Sequence, residues 1–243
     1  MAGLQAERQE NSFIDIINSA VTKNGGPVTL VAGQIRLTNI VKAEKFSGRQ
    51  TSGSEPYTDV QLFVLNKVKP INISMKGPTA PSLAGGGLKG IETIIPGLAK
   101  KFMKLVLIHL KKKIKDGDKV PDVYGKISDT DKVKIVVGNE AIGGPIHYMY
   151  IGPMDVTSTI QNKKPNIVVI VNGVMKEAKL YAKTHELYFR LRARREDQRF
   201  DSKALDKLGI PKIYGKSPSK GDSAGRIVVT DKIPNNAEKV TII

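Results

Sequence analysis

Between Ala6 and Val21 the apolar residues Phe13, Ile14, Ile16, Ile17 and Val21 recur near the helical period, and Asn24-Gly25-Gly26-Pro27 follows as a stop. This pattern predicts a first helix. Val28 to Val31 and Ile35 to Val41 then run or alternate apolar on either side of Ala32-Gly33-Gln34, predicting a strand pair. Asp59 to Leu65 and Pro70 to Lys76 predict two more strands, joined by a short turn at Asn66-Lys67. From Leu98 to Lys115 the residues Leu98, Phe102, Leu105, Val106, His109 and Leu110 form an apolar stripe, with lysines crowding the rest of the surface. This predicts an amphipathic basic helix starting after Pro96, with His109 packed in the core. Further strands are predicted at Val133 to Val137, Ile146 to Ile151, Ile167 to Val171 and Glu186 to Ala193. The order is α-β-β-β-α-β followed by a mainly β C-terminal half, a mixed α/β (α+β) class. Ser47 to Pro56 and Gly77 to Gly90 are loop-like in composition.

Composition narrows the partners more than the fold. The 243 residues carry 39 Lys and Arg against 23 Asp and Glu, a net charge of +16, with an ordinary hydrophobic fraction of 40%. A folded chain this basic concentrates polyanions around itself, so DNA is the first partner expected. The absence of cysteine excludes disulfides, thiolate zinc sites and cysteine nucleophiles. Any metal would have to be held by oxygen or imidazole, and the three histidines are scattered. Apolar runs fall far short of the roughly 20 residues that span a bilayer. With no secretory signal at the start either, the expectation is a soluble, cytoplasmic protein without a membrane partner. The Gly77 to Gly90 loop lacks the Gly-Lys-Ser/Thr ending of a phosphate-binding loop.

Candidate chemistry centres on two predicted strands. Asp59 opens one, and Ser74-Met75-Lys76 closes the next, with Ser74 and Lys76 on one face because side chains alternate along a strand. Hairpin pairing would bring Asp59 and Lys76 together at one end. Carboxylates can hold magnesium, which polarises a phosphate, and a nearby lysine can position the attacking water. One carboxylate is too few, so a second acid is required, with Glu10 on the first helix and Glu92 after the glycine-rich loop as candidates.

This layout resembles the PD-(D/E)XK nuclease superfamily, whose core is a helix, a three-strand meander, a second helix and a further strand. Tyr57-Thr58-Asp59 is similar to its first motif and Ser74-Met75-Lys76 to its second, with Ser74 standing where a second acid is usual. The wider run through Ala43-Glu44-Lys45-Phe46-Ser47-Gly48-Arg49 and Ile73 to Gly77 is similar to phage-encoded proteins of this kind. The resemblance covers about residues 6 to 137 and implies a restriction-endonuclease-like core over residues 6–140 and a Mg2+-dependent endonuclease; the mainly β remainder over residues 141–243 is expected to pack as an extension on the same core. Asp59, Glu92, Lys76 and Ser74 would then form the catalytic group, with Asp59 and either Glu92 or Glu10 as metal ligands. It also implies a location in the host cytoplasm or the virion.

A second basic element is Glu186 to Ala193, where alternation sends Leu187, Phe189 and Leu191 one way and Tyr188, Arg190 and Arg192 the other. Together with Arg194, Arg195 and Arg199, they are expected to grip a nucleic-acid backbone. The competing expectation is a DNA-binding or virion structural protein that does not cut, with homodimer or phage-particle assembly open for either.

Overall fold

In a computed structural model of the chain, residues 2–47, 56–78, 82–83, 87–163, 166–192, 196–217, 221–222 and 226–242 are described. The chain begins α1 (Ala2–Asn24), β1 (Val28–Ala32), β2 (Ile35–Lys45), β3 (Val60–Val64), β4 (Ile71–Lys76) and β5 (Ser82–Leu83). Next come α2 (Gly87–Ile94), α3 (Leu98–Lys111), β6 (Val123–Lys126), α4 (Asp129–Val137), β7 (Tyr148–Ile151), β8 (Ser158–Lys163), β9 (Asn166–Val171) and β10 (Val174–Glu177). It ends with α5 (Ala178–Thr184), β11 (Tyr188–Arg192), β12 (Lys216–Ser217), β13 (Gly221–Asp222), β14 (Arg226–Thr230) and β15 (Glu238–Val240). The class is mixed α/β, as expected.

Two compact units interleave along the chain: Met1–Pro81 with Val136–Tyr181, and Ser82–Ile135 with Ala182–Ile243. The expected division at residue 140 is therefore replaced by three crossings. Each unit completes its sheet with strands distant in sequence.

In the first unit the sheet order is β10-β7-β4-β3-β2-β1-β9-β8. β1 to β4 form an antiparallel meander, while β7 runs parallel to β4 and β9 parallel to β1. The β3–β4 turn is as predicted, with Asn66 in the left-handed region and Lys67 N donating to Val64 O at 3.0 Å. α1 lays Phe13, Ile17 and Ala20 on a core that includes Leu30, Ile40, Leu62 and Ile73, each at most 1% exposed. Burying Phe13 and Ile17 stabilises the contact by about 1.5–3 kcal/mol apiece. Asn18 fixes the helix further, because its side chain exchanges hydrogen bonds of 2.8 and 2.9 Å with Ala43 N and O. The β1 pairing begins at Val28↔Ile40, so Asn18 satisfies a stretch of β2 that has run past its partner.

In the second unit the order is β15-β6-β11-β14-β5. α3 buries Phe102, Met103, Val106 and Leu110, and the Phe102 and Phe189 rings meet at 5.4 Å. Gly125 on β6 has to be glycine, since a Cβ would lie 2.7 Å from the Phe102 ring. The strand expected at Val133 to Val137 is instead the end of α4. Ser128 caps this helix by accepting from Asp131 N at 3.1 Å, and Asp129 and Asp131 sit in its first turn. A cap and two acids at the positive end of the helix dipole outweigh the β preference of Val-Lys-Ile-Val-Val.

Candidate active site

Asp59 is held from both sides before β3 begins: its N donates to Ile73 O and its O accepts from Phe46 N, both at 2.9 Å. The preceding residues are clamped to the turn at Glu140–Ile142 and Gly143. Tyr57 N donates to Ile142 O at 2.9 Å, and both the backbone N and the hydroxyl of Thr58 donate to Gly143 O. So anchored, Asp59 turns its carboxylate toward β4, where Oδ2 accepts from Met75 N at 2.6 Å and from Ser74 Oγ at 3.1 Å. The carboxylate thereby replaces ladder bonds that β3 is too short to make.

Lys76 Nζ lies 4.0 Å from the same Asp59 oxygen, and the two side chains are 19% and 23% exposed. Asp59, Ser74 and Lys76 therefore converge, as the alternation along β4 predicted. Glu10 on α1 lies near enough to feel the charge of Asp59. Burial raises its pKa above the usual carboxylate value and the charge of Asp59 raises it further, while a hydrogen bond from Lys45 opposes both. Lys45 Nζ stands 3.0 Å from Glu10 Oε2. The helix is set by Gln9, almost wholly buried, whose Nε2 donates to the carbonyls of Lys76, Gly152 and Pro153 at 3.2, 2.9 and 3.0 Å.

Gln9 and Lys45 were not singled out from sequence. Lys45 faces Val60 across the β2–β3 ladder, beside Asp59, a placement only the register reveals. Gln9 carried a weaker signal, a polar residue on the buried side of a helix next to a candidate acid.

Among the described residues, no group of three or more Asp, Glu or His is placed to hold a metal ion. The charge of Asp59 is nevertheless felt at Glu10, and two carboxylates are enough for one small divalent cation. Magnesium commonly takes one or two carboxylates and fills its remaining positions with water and phosphate oxygens.

The other expected site residues are placed differently. Glu92 lies on α2 in the second unit, where Oε2 accepts from Gly97 N at 2.7 Å and Oε1 from Lys100 N at 2.9 Å. Both oxygens therefore cap the start of α3, a structural role instead of the expected ligand role. On β11 the alternation is as predicted, yet Tyr188 and Arg190 are engaged within the unit. Arg190 Nε donates to Asp122 Oδ2 at 2.9 Å, and its guanidinium lies 5.9 Å from the Tyr124 ring centroid. Tyr188 donates to Glu186 Oε2 at 2.7 Å, and Glu186 also pairs with Lys126. Exposed Arg199 donates to the carbonyls of Glu196 and Gln198. Arg192 is half-buried, and Arg194 and Arg195 lie outside the described residues. His109 is not packed in the core but is 24% exposed, with Nε2 2.8 Å from Glu238 Oε2.

Comparison with protein-family models, with curated proteins and with solved structures finds no match to this chain. Among the described residues, no helix is long and apolar enough to cross a membrane.

Proposed function

We propose that this chain is a metal-dependent phosphodiester hydrolase acting on DNA, with its active site in the first unit and a restriction-endonuclease-like core there. The observation that carries the reading is the convergence of Ser74 and Lys76 on one carboxylate oxygen of Asp59, whose charge is also felt at Glu10. Support from the fold is the succession of α1, the antiparallel β2-β3-β4 and a β7 parallel to β4. It departs from the expected core in the additional strand β1 and in placing α2 and α3 in the other unit.

Asp59 and Glu10 would hold the ion. When bound, Mg2+ polarises the phosphate and stabilises the leaving oxygen. Ser74 keeps the Asp59 carboxylate in one orientation, a donor's role instead of that of the acid it replaces. Lys76 Nζ lies 4.0 Å from the same oxygen, where it can orient a water or a phosphate oxygen. Gln9 and Asn18 lock α1, and Glu10 with it, against the strand ends.

The test is nicking of supercoiled plasmid with Mg2+, Ca2+ or EDTA. Wild type nicks with Mg2+ alone, whereas Asp59→Asn, Glu10→Gln and Lys76→Ala each lose about 10²-fold or more in rate. Full cutting by Asp59→Asn would refute the assignment. One observation favours a second reading: Lys45 already bonds Glu10, so the cluster can stand as a closed ion-pair network in a DNA-binding or virion structural protein. That protein would retard plasmid in Mg2+ without nicking it.

A further inference from the structure

The excess positive charge is unevenly shared. The second unit carries 26 of the lysines and arginines against 14 aspartates and glutamates, +12 of the +16, whereas the first carries 13 against 9, or +4. Within the second unit one element concentrates it. Leu98 to Lys115 contains no acid, and Lys100, Lys101, Lys104, Lys111 and Lys112 are all exposed. At 100° per residue, Lys101, Lys104, Ile108, Lys111 and Lys112 fall on one face, opposite the buried Phe102, Val106 and Leu110.

The acids that border the helix are committed elsewhere. Glu92 binds Gly97 N and Lys100 N at the start, and Glu238 binds His109 and Lys113 on the flank. Among the described residues, none of Lys101, Lys104, Lys111 and Lys112 pairs with a carboxylate. Leaving these ammonium groups close together without counter-charge is unfavourable, and a polyanion relieves it.

We infer that the exposed face of α3 is a binding surface for the phosphodiester backbone of nucleic acid. From Lys101 to Lys112 is about 16 Å along the helix, and duplex DNA presents about ten phosphate charges over that length. Contacts of this kind read charge and not sequence. An anionic membrane is the poorer partner, because the apolar face that would enter lipid is already spent on the core and only Ile108, 56% exposed, remains. The inference rests on the phosphodiester reading of the Asp59 site but is measured without cleavage, so each can fail alone.

The full chain in EDTA is titrated against a fluorescein-labelled DNA duplex from about 50 to about 200 mM salt. The triple variant Lys101→Gln, Lys104→Gln, Lys111→Gln should bind on the order of 10²-fold more weakly at 0.1 M salt, with the log–log salt slope shallower by about 2.7. The control Lys23→Gln, Lys67→Gln, Lys69→Gln removes the same charge from exposed positions of the first unit and should bind within about twofold of wild type. Equal losses in the two triple variants, or no loss in the α3 variant, would overturn the inference. So would wild-type protein that binds phosphatidylserine vesicles but not duplex. Should the α3 triple variant fail to fold, its three single variants carry the test, each lowering the slope by about 0.9.

Discussion

Replacing Asp59 separates its structural work from its chemical work. Asp59→Ala strands two donors on β4: Met75 N, now 2.6 Å from the carboxylate, and Ser74 Oγ at 3.1 Å, on a residue only 3% exposed. An orphaned buried donor costs about 1–3 kcal/mol, and relief of the carboxylate's own desolvation offsets part of the two losses. The alanine variant should therefore unfold in urea with about 2–3 kcal/mol less stability. Asp59→Asn keeps a carbonyl oxygen for Met75 N and should lose only about 1 kcal/mol, yet lacks the charge to hold a divalent ion. Both variants should be inactive on plasmid, with stabilities in the order wild type, Asn, Ala. An alanine variant as stable as wild type would refute the idea that this carboxylate replaces ladder bonds to β4 beyond the end of β3. An asparagine variant as unstable as alanine would refute its division into acceptor and charge.

Gln9→Glu would aim a carboxylate at the carbonyls of Lys76, Gly152 and Pro153, so circular dichroism melts should show a large destabilisation at pH 7 that lessens as the acid is protonated. Glu10 has a raised pKa in the folded protein, chiefly from burial, so its contribution is fully present below the unfolded value of 4.5 and lost as pH rises through the folded value. Glu10→Gln should remove that fall, and urea unfolding of both proteins across the window above pH 4.5 checks the difference. Ser128→Ala removes the cap of α4 and should cost about 0.5–2 kcal/mol, measured by the same unfolding experiment.

Where one element's own period decides its structure, the sequence was readable. The apolar stripes of α1 and α3 and the alternation through β2, β3, β4 and β11 predicted those elements and the meeting of Asp59 with Lys76. At Val133 to Val137 the β preference of Val-Lys-Ile-Val-Val is local, whereas the Ser128 cap that decides for a helix lies upstream of it. Glu92 looked like a free acid near a site because its real partners, Gly97 N and Lys100 N, are backbone groups that composition does not reveal. On β11 the alternation was legible, whereas nothing in the strand itself announces Asp122 beside Arg190. The contacts of Glu10 with Lys45 and of Gln9 with the residue 152–153 carbonyls depend on tertiary docking, which local pattern cannot encode.

The three crossings between units bear on how the chain is made. On a ribosome, β1 to β4 emerge early, but β7 and β9, which cover the two outer edges of that meander, follow only after the intervening segment has been synthesised. At roughly 5–20 residues per second the edges stay bare for several seconds, open to pairing with neighbouring chains. A fragment ending at residue 140 would be arrested in that state permanently, so it should collect in inclusion bodies to a greater extent than the whole chain, in which β7 and β9 cover both sides of the meander.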